Sequence, residues 1–504
     1  MESEKQIKPR NTLAQRSVYA LKWNYAGSLG RAGMQFLIGI VLARLLGPEP
    51  FGLVALASLV LGLGALFADV GLASVLIQRK EITDSDIRFI FTVQTLLGLI
   101  LTLVLEAGVT VITDFFKRAD AVPVLQWMFL LFFIQGMGQT SAALLRRRLD
   151  FRRLQLAQIV SYTVGYVGLG LPLAFNGFGV WSLVIAQLSQ ATMCTMLTYA
   201  MTKHPMSPLL TSESRSLLHV GLKLTATNLS NWALACMDSV LIGRVFGTTQ
   251  LGLYNRAMSL VAMPTYHILS SVQSVLFSTS ARMQEDTDRL RQTYLAVLGV
   301  IGFICLPIFF VVAAIPDTVI GGVYGAAWMA AVPILTPVAL AMPMSALMGL
   351  GGPLMTGMGK AGTEMGVQFI SLLMFIPFLW WASRFTLEAV AWSVFASYIV
   401  RFLLMTHATL VVLKARWCDV LRVLCGPLVL ALLCATVTFI VDWALPAHAI
   451  SAGMRLMVAS MVAAAVALSG FLLGQRWLIS TSVAPVLKQA LSTMPIYVRR
   501  LIVV

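Results

Sequence analysis

At 504 residues, with 58% hydrophobic and 11% charged residues, the chain carries less than half the charge of a soluble domain, where about 25% is usual. Apolar runs of about twenty residues recur from Leu21 almost to the end, each long enough to cross a bilayer, which excludes a soluble enzyme. The net charge of +15 does not point to nucleic acid, because the basic residues sit mostly in short loops, where they set orientation, and no soluble basic domain is left to hold a duplex.

In chain order, residues 1–20 are mostly polar and no short apolar run with a small-residue cleavage site follows them. They read as a cytoplasmic N-terminal segment, and Leu21 opens a retained span. Hydropathy then places spans at 21–46, 51–77, 87–112, 122–145, 155–175 and 178–201. After a loop at 202–215 come 216–242, 250–277, 292–315, 327–355, 362–382 and 386–413. Two more, at 421–443 and 453–474, precede a tail at 475–504. The fold expected is an all-α polytopic membrane protein of about fourteen transmembrane helices.

Loop charge tests that reading. A cytoplasmic N-terminus puts Arg79-Lys80, Arg146-Arg147-Arg148, Lys203, Arg282, Lys414 and Arg499-Arg500 on one side. The other side keeps little beyond Lys117-Arg118, Arg244 and Arg384. Both termini are therefore expected inside. Every loop is short, which leaves no room for an extramembrane catalytic domain.

One stretch recurs. Sliding the sequence by 200 residues without a gap lays Arg44 on Arg244, Gly47 on Gly247, Gly52 on Gly252 and Leu53 on Leu253. Ala57 meets Ala257, and Ser74-Val75-Leu76 meets Ser274-Val275-Leu276. A match across a loop and the helix after it indicates a duplicated chain. Six spans separate the copies, so both run the same way through the membrane. The lobes, 21–201 and 216–413, are expected to form a parallel repeat around a central cavity, with 421–474 as an addition outside it.

The polar groups inside spans are the candidate site. Asn24, Ser28, Arg31 and Gln35 fall on one face of the first helix. Lys223, Thr227, Asn231 and Asp238 share an arc of the seventh. The eighth adds Asn255, Ser259, Tyr266, Ser270 and Gln273, with Arg256 beside them. Hydroxyl and amide stripes also hold membrane helices together, so for those residues both readings stand. Charges deep in a span favour a wet cavity, and Arg31, Lys223 and Arg256 are the candidate cations. Asn24, Gln35 and Asn231 are the neutral substrate ligands expected beside them. Asp69 and Asp238 are candidates for ion coupling. Arg44 and Arg244, near span ends, are read as structural and free to snorkel.

The six cysteines lie mostly within apolar runs and form no C-x-x-C pair, so they read as buried hydrophobes. The five histidines are scattered. No paired-carboxylate, Ser-His or phosphate-loop pattern occurs, so no enzyme activity, metal or cofactor is expected.

Ala43-Arg-Leu-Leu-Gly-Pro-Glu-Pro-Phe-Gly-Leu53, then Phe67-Ala-Asp-Val-Gly-Leu72 and Leu76-Ile-Gln-Arg-Lys-Glu81, resemble the polysaccharide-transport (Wzx-type) flippases. These belong to the multidrug/oligosaccharidyl-lipid/polysaccharide superfamily, and the resemblance is to its colanic-acid and lipopolysaccharide exporter branch. The second-half signature from Arg244 to Tyr254, and Gln284-Glu-Asp286 with Leu290-Arg291, also fit. The resemblance implies two six-helix lobes around a V-shaped cavity in the bacterial inner membrane. It implies transfer of an undecaprenyl-diphosphate-linked oligosaccharide to the periplasmic leaflet for lipopolysaccharide or exopolysaccharide synthesis. Membrane lipids, a polysaccharide polymerase and a chain-length regulator are the partners it implies. A cation-coupled multidrug antiporter of the same fold is the runner-up, and a flippase for a peptidoglycan lipid precursor is third.

Overall fold

A backbone crossing lipid must satisfy its own N–H and C=O groups, and among the described residues each expected span falls on helix. The computed structural model describes residues 13–69, 72, 76–77, 79, 81–209, 216–446 and 450–473. The first six spans are carried by α1 (Leu13–Leu46), α2 (Pro48–Asp69), α3 (Asp84–Ala107) with α4 (Val109–Phe116), α5 (Val122–Arg147), α6 (Phe151–Tyr162) with α7 (Leu171–Phe175), and α8 (Val180–Thr202). The next are α9 (Ser216–Val245), α10 (Thr248–Arg282), α11 (Thr287–Ala314) with α12 (Pro316–Val323), α13 (Val332–Met348) with α14 (Gly351–Gly357), α15 (Ala361–Ala382) and α16 (Leu387–Leu413). The last two are α17 (Trp417–Ala444) and α18 (Ala452–Leu473). Among the described residues 12 helices are long and apolar enough to span, and up to 13 if the bent pair Thr248–His267 and Val272–Arg282 is one span. The chain is a multi-pass membrane protein.

Some boundaries differ from hydropathy. The span expected at 87–112 is broken at Gly108, where helical propensity is lowest short of proline. The eight-residue α4 follows and ends at Lys117 with φ 54°. Between α6 and α7, Thr163–Gly170 is wound as a π-helix, a wider coil that Gly165, Gly168 and Gly170 tolerate. Outward faces are apolar, as lipid requires: Ile100, Leu103 and Val104 are each more than half exposed.

The chain packs as two compact units, 1–252 and 253–504. By packing, α9 therefore goes with the first unit, where it lies against α2. Within that unit α5 packs against α3, α2 and α8, and α1 packs against α6. In the second unit α11 packs most extensively on α17, and α13 packs on α11 and α16. The final pair is bolted on by a buried cluster. Arg455 on α18 pairs with Asp442 on α17 at 2.8 Å, and Thr318 on α12 donates to the same carboxylate at 2.8 Å.

Element order repeats between the units. In the first, α3, the short α4, a 3-10 turn at Ala119–Ala121 and α5 follow one another. In the second, α11, the short α12, a 3-10 turn at Ala326–Ala331 and α13 do the same. Both long helices open on the same tripeptide, Ala121-Val122-Pro123 and Ala331-Val332-Pro333, with proline in the first turn, where its missing N–H costs nothing. The sixth helix of each set ends on a lysine in the left-handed region, Lys203 at φ 48° and Lys414 at φ 51°.

The joint that recurs in the sequence is a reciprocal contact in space. Gly47 and Gly247 stop α1 and α9 at φ 73° and 87°, the left-handed conformation that glycine adopts without strain. Five residues on, a Cβ at Gly52 would lie 1.8 Å from the Thr248 carbonyl oxygen, and one at Gly252 would lie 2.2 Å from that of Pro48. Residues 48 and 52 thus meet residues 248 and 252 crosswise, each repeat position facing the partner of its own equivalent.

Candidate functional site

Charge inside a span must find water, a partner or a ligand, and Arg31 shows which. Its side chain is half-buried in a crevice of about 310 Å³ within the first unit. On α5 the crevice is lined by Gln135, Gly138, Gln139, Ala142 and Arg146, spaced at three and four residues along one face. On α8, Gln187, Gln190, Ala191, Cys194, Thr195 and Thr198 form a second such face, and α6 supplies Leu154 and Gln158.

Arg31 Nη1 donates to Gln158 Oε1. One turn earlier on α6 and two turns earlier on α1, Gln155 Nε2 donates to Asn24 Oδ1 at 3.0 Å, so the first-span stripe is docked on α6. Gln158 is neutral, and the ion pairs among the described residues do not include Arg31. Among the described residues the cation is therefore oriented by an amide but not neutralised. With Arg146 at the end of α5, the crevice offers two guanidinium groups and five glutamine amides. Guanidinium groups suit phosphate or carboxylate, and the amides both donate and accept, as sugar hydroxyls require.

The other expected residues fall elsewhere. Gln35 sits one turn beyond Arg31 on α1, half-buried. Lys223 and Asn231 lie on α9, with side chains outside the described residues, as is the side chain of Asp69 at the end of α2. Asp238 is buried, and its Oδ1 accepts the Ser239 N–H at 2.6 Å. Arg256 belongs to the second unit, where its carbonyl accepts from the Tyr324 hydroxyl at 3.4 Å. Several stripe hydroxyls bond their own helix: Ser28 to Tyr25 O, Ser259 to Arg256 O and Ser270 to His267 O. What the stripes missed are the glutamines of α5 and α8. Their signal was present, Gln135 with Gln139 and Gln187 with Gln190, but without charge these pairs do not stand out.

The chain belongs to the polysaccharide biosynthesis protein family, whose profile matches residues 41–333. It is 23% identical over 372 residues to the lipopolysaccharide biosynthesis protein WzxC of Escherichia coli (strain K12), covering 73% of this chain and 75% of that one. It is 27% identical over 319 residues to the succinoglycan biosynthesis transport protein ExoT of Rhizobium meliloti (strain 1021), covering 63% and 64%. Among solved structures it matches the lipid II flippase MurJ in an inward closed conformation with a TM-score of 0.72, covering 92% of this chain and 99% of that one. At 14% identity that likeness is one of fold.

Proposed function

We propose that the protein is a flippase moving a lipid-linked oligosaccharide, joined to its polyprenyl carrier by a diphosphate, outward across the bacterial inner membrane. The observation that carries this reading is the crevice around Arg31, a polar, cationic space walled by amides inside an apolar helical protein of a polysaccharide-biosynthesis family. A sugar hydroxyl stripped of water costs up to several kcal/mol, about 2–7, unless it is bonded again. The glutamines of α5 and α8 replace that water, and the polyprenyl tail stays in lipid. Arg31 and Arg146 answer the diphosphate. With the cell interior negative, outward passage of two negative charges is favoured by about 4–5 kcal/mol per 100 mV, so no nucleotide hydrolysis is needed. The antiporter reading asks for carboxylates in the cavity, whereas the residues that line this crevice include none.

Arg31→Ala should abolish surface polysaccharide at normal protein abundance, with lipid-linked precursor accumulating on the cytoplasmic side. Arg31→Lys should keep partial export, because lysine holds charge without bidentate geometry. A purely structural arginine would instead lower membrane abundance in both variants. Normal export with normal abundance in Arg31→Ala would remove this arginine from the mechanism.

A further inference from the structure

The second unit carries a crevice in the place that corresponds to the first. It measures about 170 Å³ and lies among α10, α13, α14, α15 and α16. A shift of 210 residues, set by the repeated Ala-Val-Pro openings, lays Leu154 on Glu364 and Gln158 on Gln368. A shift of 211, set by Trp181-Ser182 and Trp392-Ser393 within the first two turns of α8 and α16, lays Gln190 on Arg401 and Cys194 on Met405. All eight residues line one crevice or the other. The repeat has kept the space and changed its chemistry at two points, leucine to carboxylate and amide to guanidinium.

Those two charges are not spent on each other, since the ion pairs among the described residues join neither of them. Glu364 accepts from the Thr356 hydroxyl at 2.6 Å and from Gln368 Nε2 at 3.3 Å, which fixes it against the wall beside Gly352. Arg401 lies near the middle of α16, with its guanidinium 5.4 Å from the Tyr398 ring. A guanidinium at that depth is costly unless it faces water or a ligand. Gln273 Nε2 donates to the Gly349 carbonyl at 2.7 Å, and both residues line the crevice.

We propose that this crevice is a second saccharide subsite, taking one neutral sugar ring whose adjacent hydroxyls donate to the Glu364 carboxylate while its oxygens accept from Arg401. A hydroxyl is both donor and acceptor, so a polyhydroxylated ring can serve both charges at once and needs no charge of its own. An anionic sugar would satisfy Arg401 but meet repulsion at Glu364, and a free phosphate likewise. The size allows one ring, not a chain. This rests on the saccharide reading of the transporter, and the proposed ligand is one ring of the same glycan.

The test is saturation-transfer NMR on the full chain in lipid nanodiscs with methyl glucoside, methyl galactoside and methyl glucuronide as probes. Transfer is expected to a neutral glycoside and not to the glucuronide. Glu364→Gln and Arg401→Gln should each weaken it about tenfold, the order of one lost charge-assisted bond. Glu364→Gln keeps shape and should keep normal abundance. No transfer in the wild type, equal transfer in Glu364→Gln and Arg401→Gln, or preference for the glucuronide would overturn the subsite. The first-unit reading would still stand if Arg31→Ala blocks export. Conversely, normal export in Arg31→Ala with transfer lost in Glu364→Gln would sink that reading and leave the second crevice.

Discussion

At the scale of single residues, His204 is an instructive case outside the spans. It is buried at the end of α8, with Nε2 3.0 Å from the Ser141 hydroxyl and Nδ1 3.2 Å from the Pro205 carbonyl. The rings of Phe91 and Tyr199 flank it, each with centroid 5.4 Å away. Five residues on, the Leu209 N–H donates to Thr92 Oγ1 at 3.0 Å, so residues 203–209 are strapped to the first unit. Burial, partly opposed by the Pro205 carbonyl, holds the imidazole pKa below its ordinary 6.5. The released loop therefore binds a proton before the docked loop does. The docking contribution is complete above about pH 6.5 and is lost as pH falls through the lower native value. Proteolysis near the exposed Met206 should accelerate on acidification, and His204→Gln should flatten that dependence. An unchanged pH profile in the variant would show that His204 does not hold the loop.

At the scale of elements, the recurring joint decides how closely two helix starts approach. With Gly52 and Gly252 crossed against the carbonyls of Thr248 and Pro48, any side chain must push the helices apart. Overpacking typically costs about 1–3 kcal/mol, and a clash with backbone on both sides lies at the upper end. Gly52→Ala and Gly252→Ala should each lower the melting temperature of the detergent-purified protein by several degrees. Gly30→Ala, where a Cβ would meet nothing within 4 Å, is the control. Equal melting of all three would mean that the contact opens without cost. The glutamine faces of α5 and α8 belong to this scale too. Each is an ordinary polar stripe alone, and only the packing of α5 against α8 turns the two into walls.

At the scale of the whole molecule, orientation sets the direction of transport. From charge asymmetry the Arg146–Arg153 loop is expected inside and α12 outside. A cysteine at Asp317, in the first turn of α12, should react with an impermeant reagent added to intact cells, and one at Asp150 should not. The reverse pattern would invert the topology and with it the outward direction. The repeat also belongs here. From the sequence repeat, lobes 21–201 and 216–413 are expected to be related by an axis along the membrane normal. Inverted superposition of the two would refute that relation.

Much of this architecture was legible in residue order, for a reason specific to lipid. A bilayer admits only segments that are apolar for about twenty residues and that bond their own backbone, so hydropathy alone could mark helices long and apolar enough to span, 12 to 13 of them among the described residues. Gly108 broke one because hydropathy counts apolarity and not helix propensity. The ungapped match at Arg44–Leu53 and Arg244–Leu253 and the stripe of Asn24, Arg31 and Gln35 could be read the same way, since both are local patterns. Tertiary structure alone decided what those patterns face. The acceptor for Arg31 is Gln158, 127 residues away, and that for Gln155 is Asn24, 131 residues away. Glu364 and Arg401 come from different helices, and no periodicity links them. Local order sets which residues share a face of one helix, but a binding site is made of faces from several, and only packing brings them together.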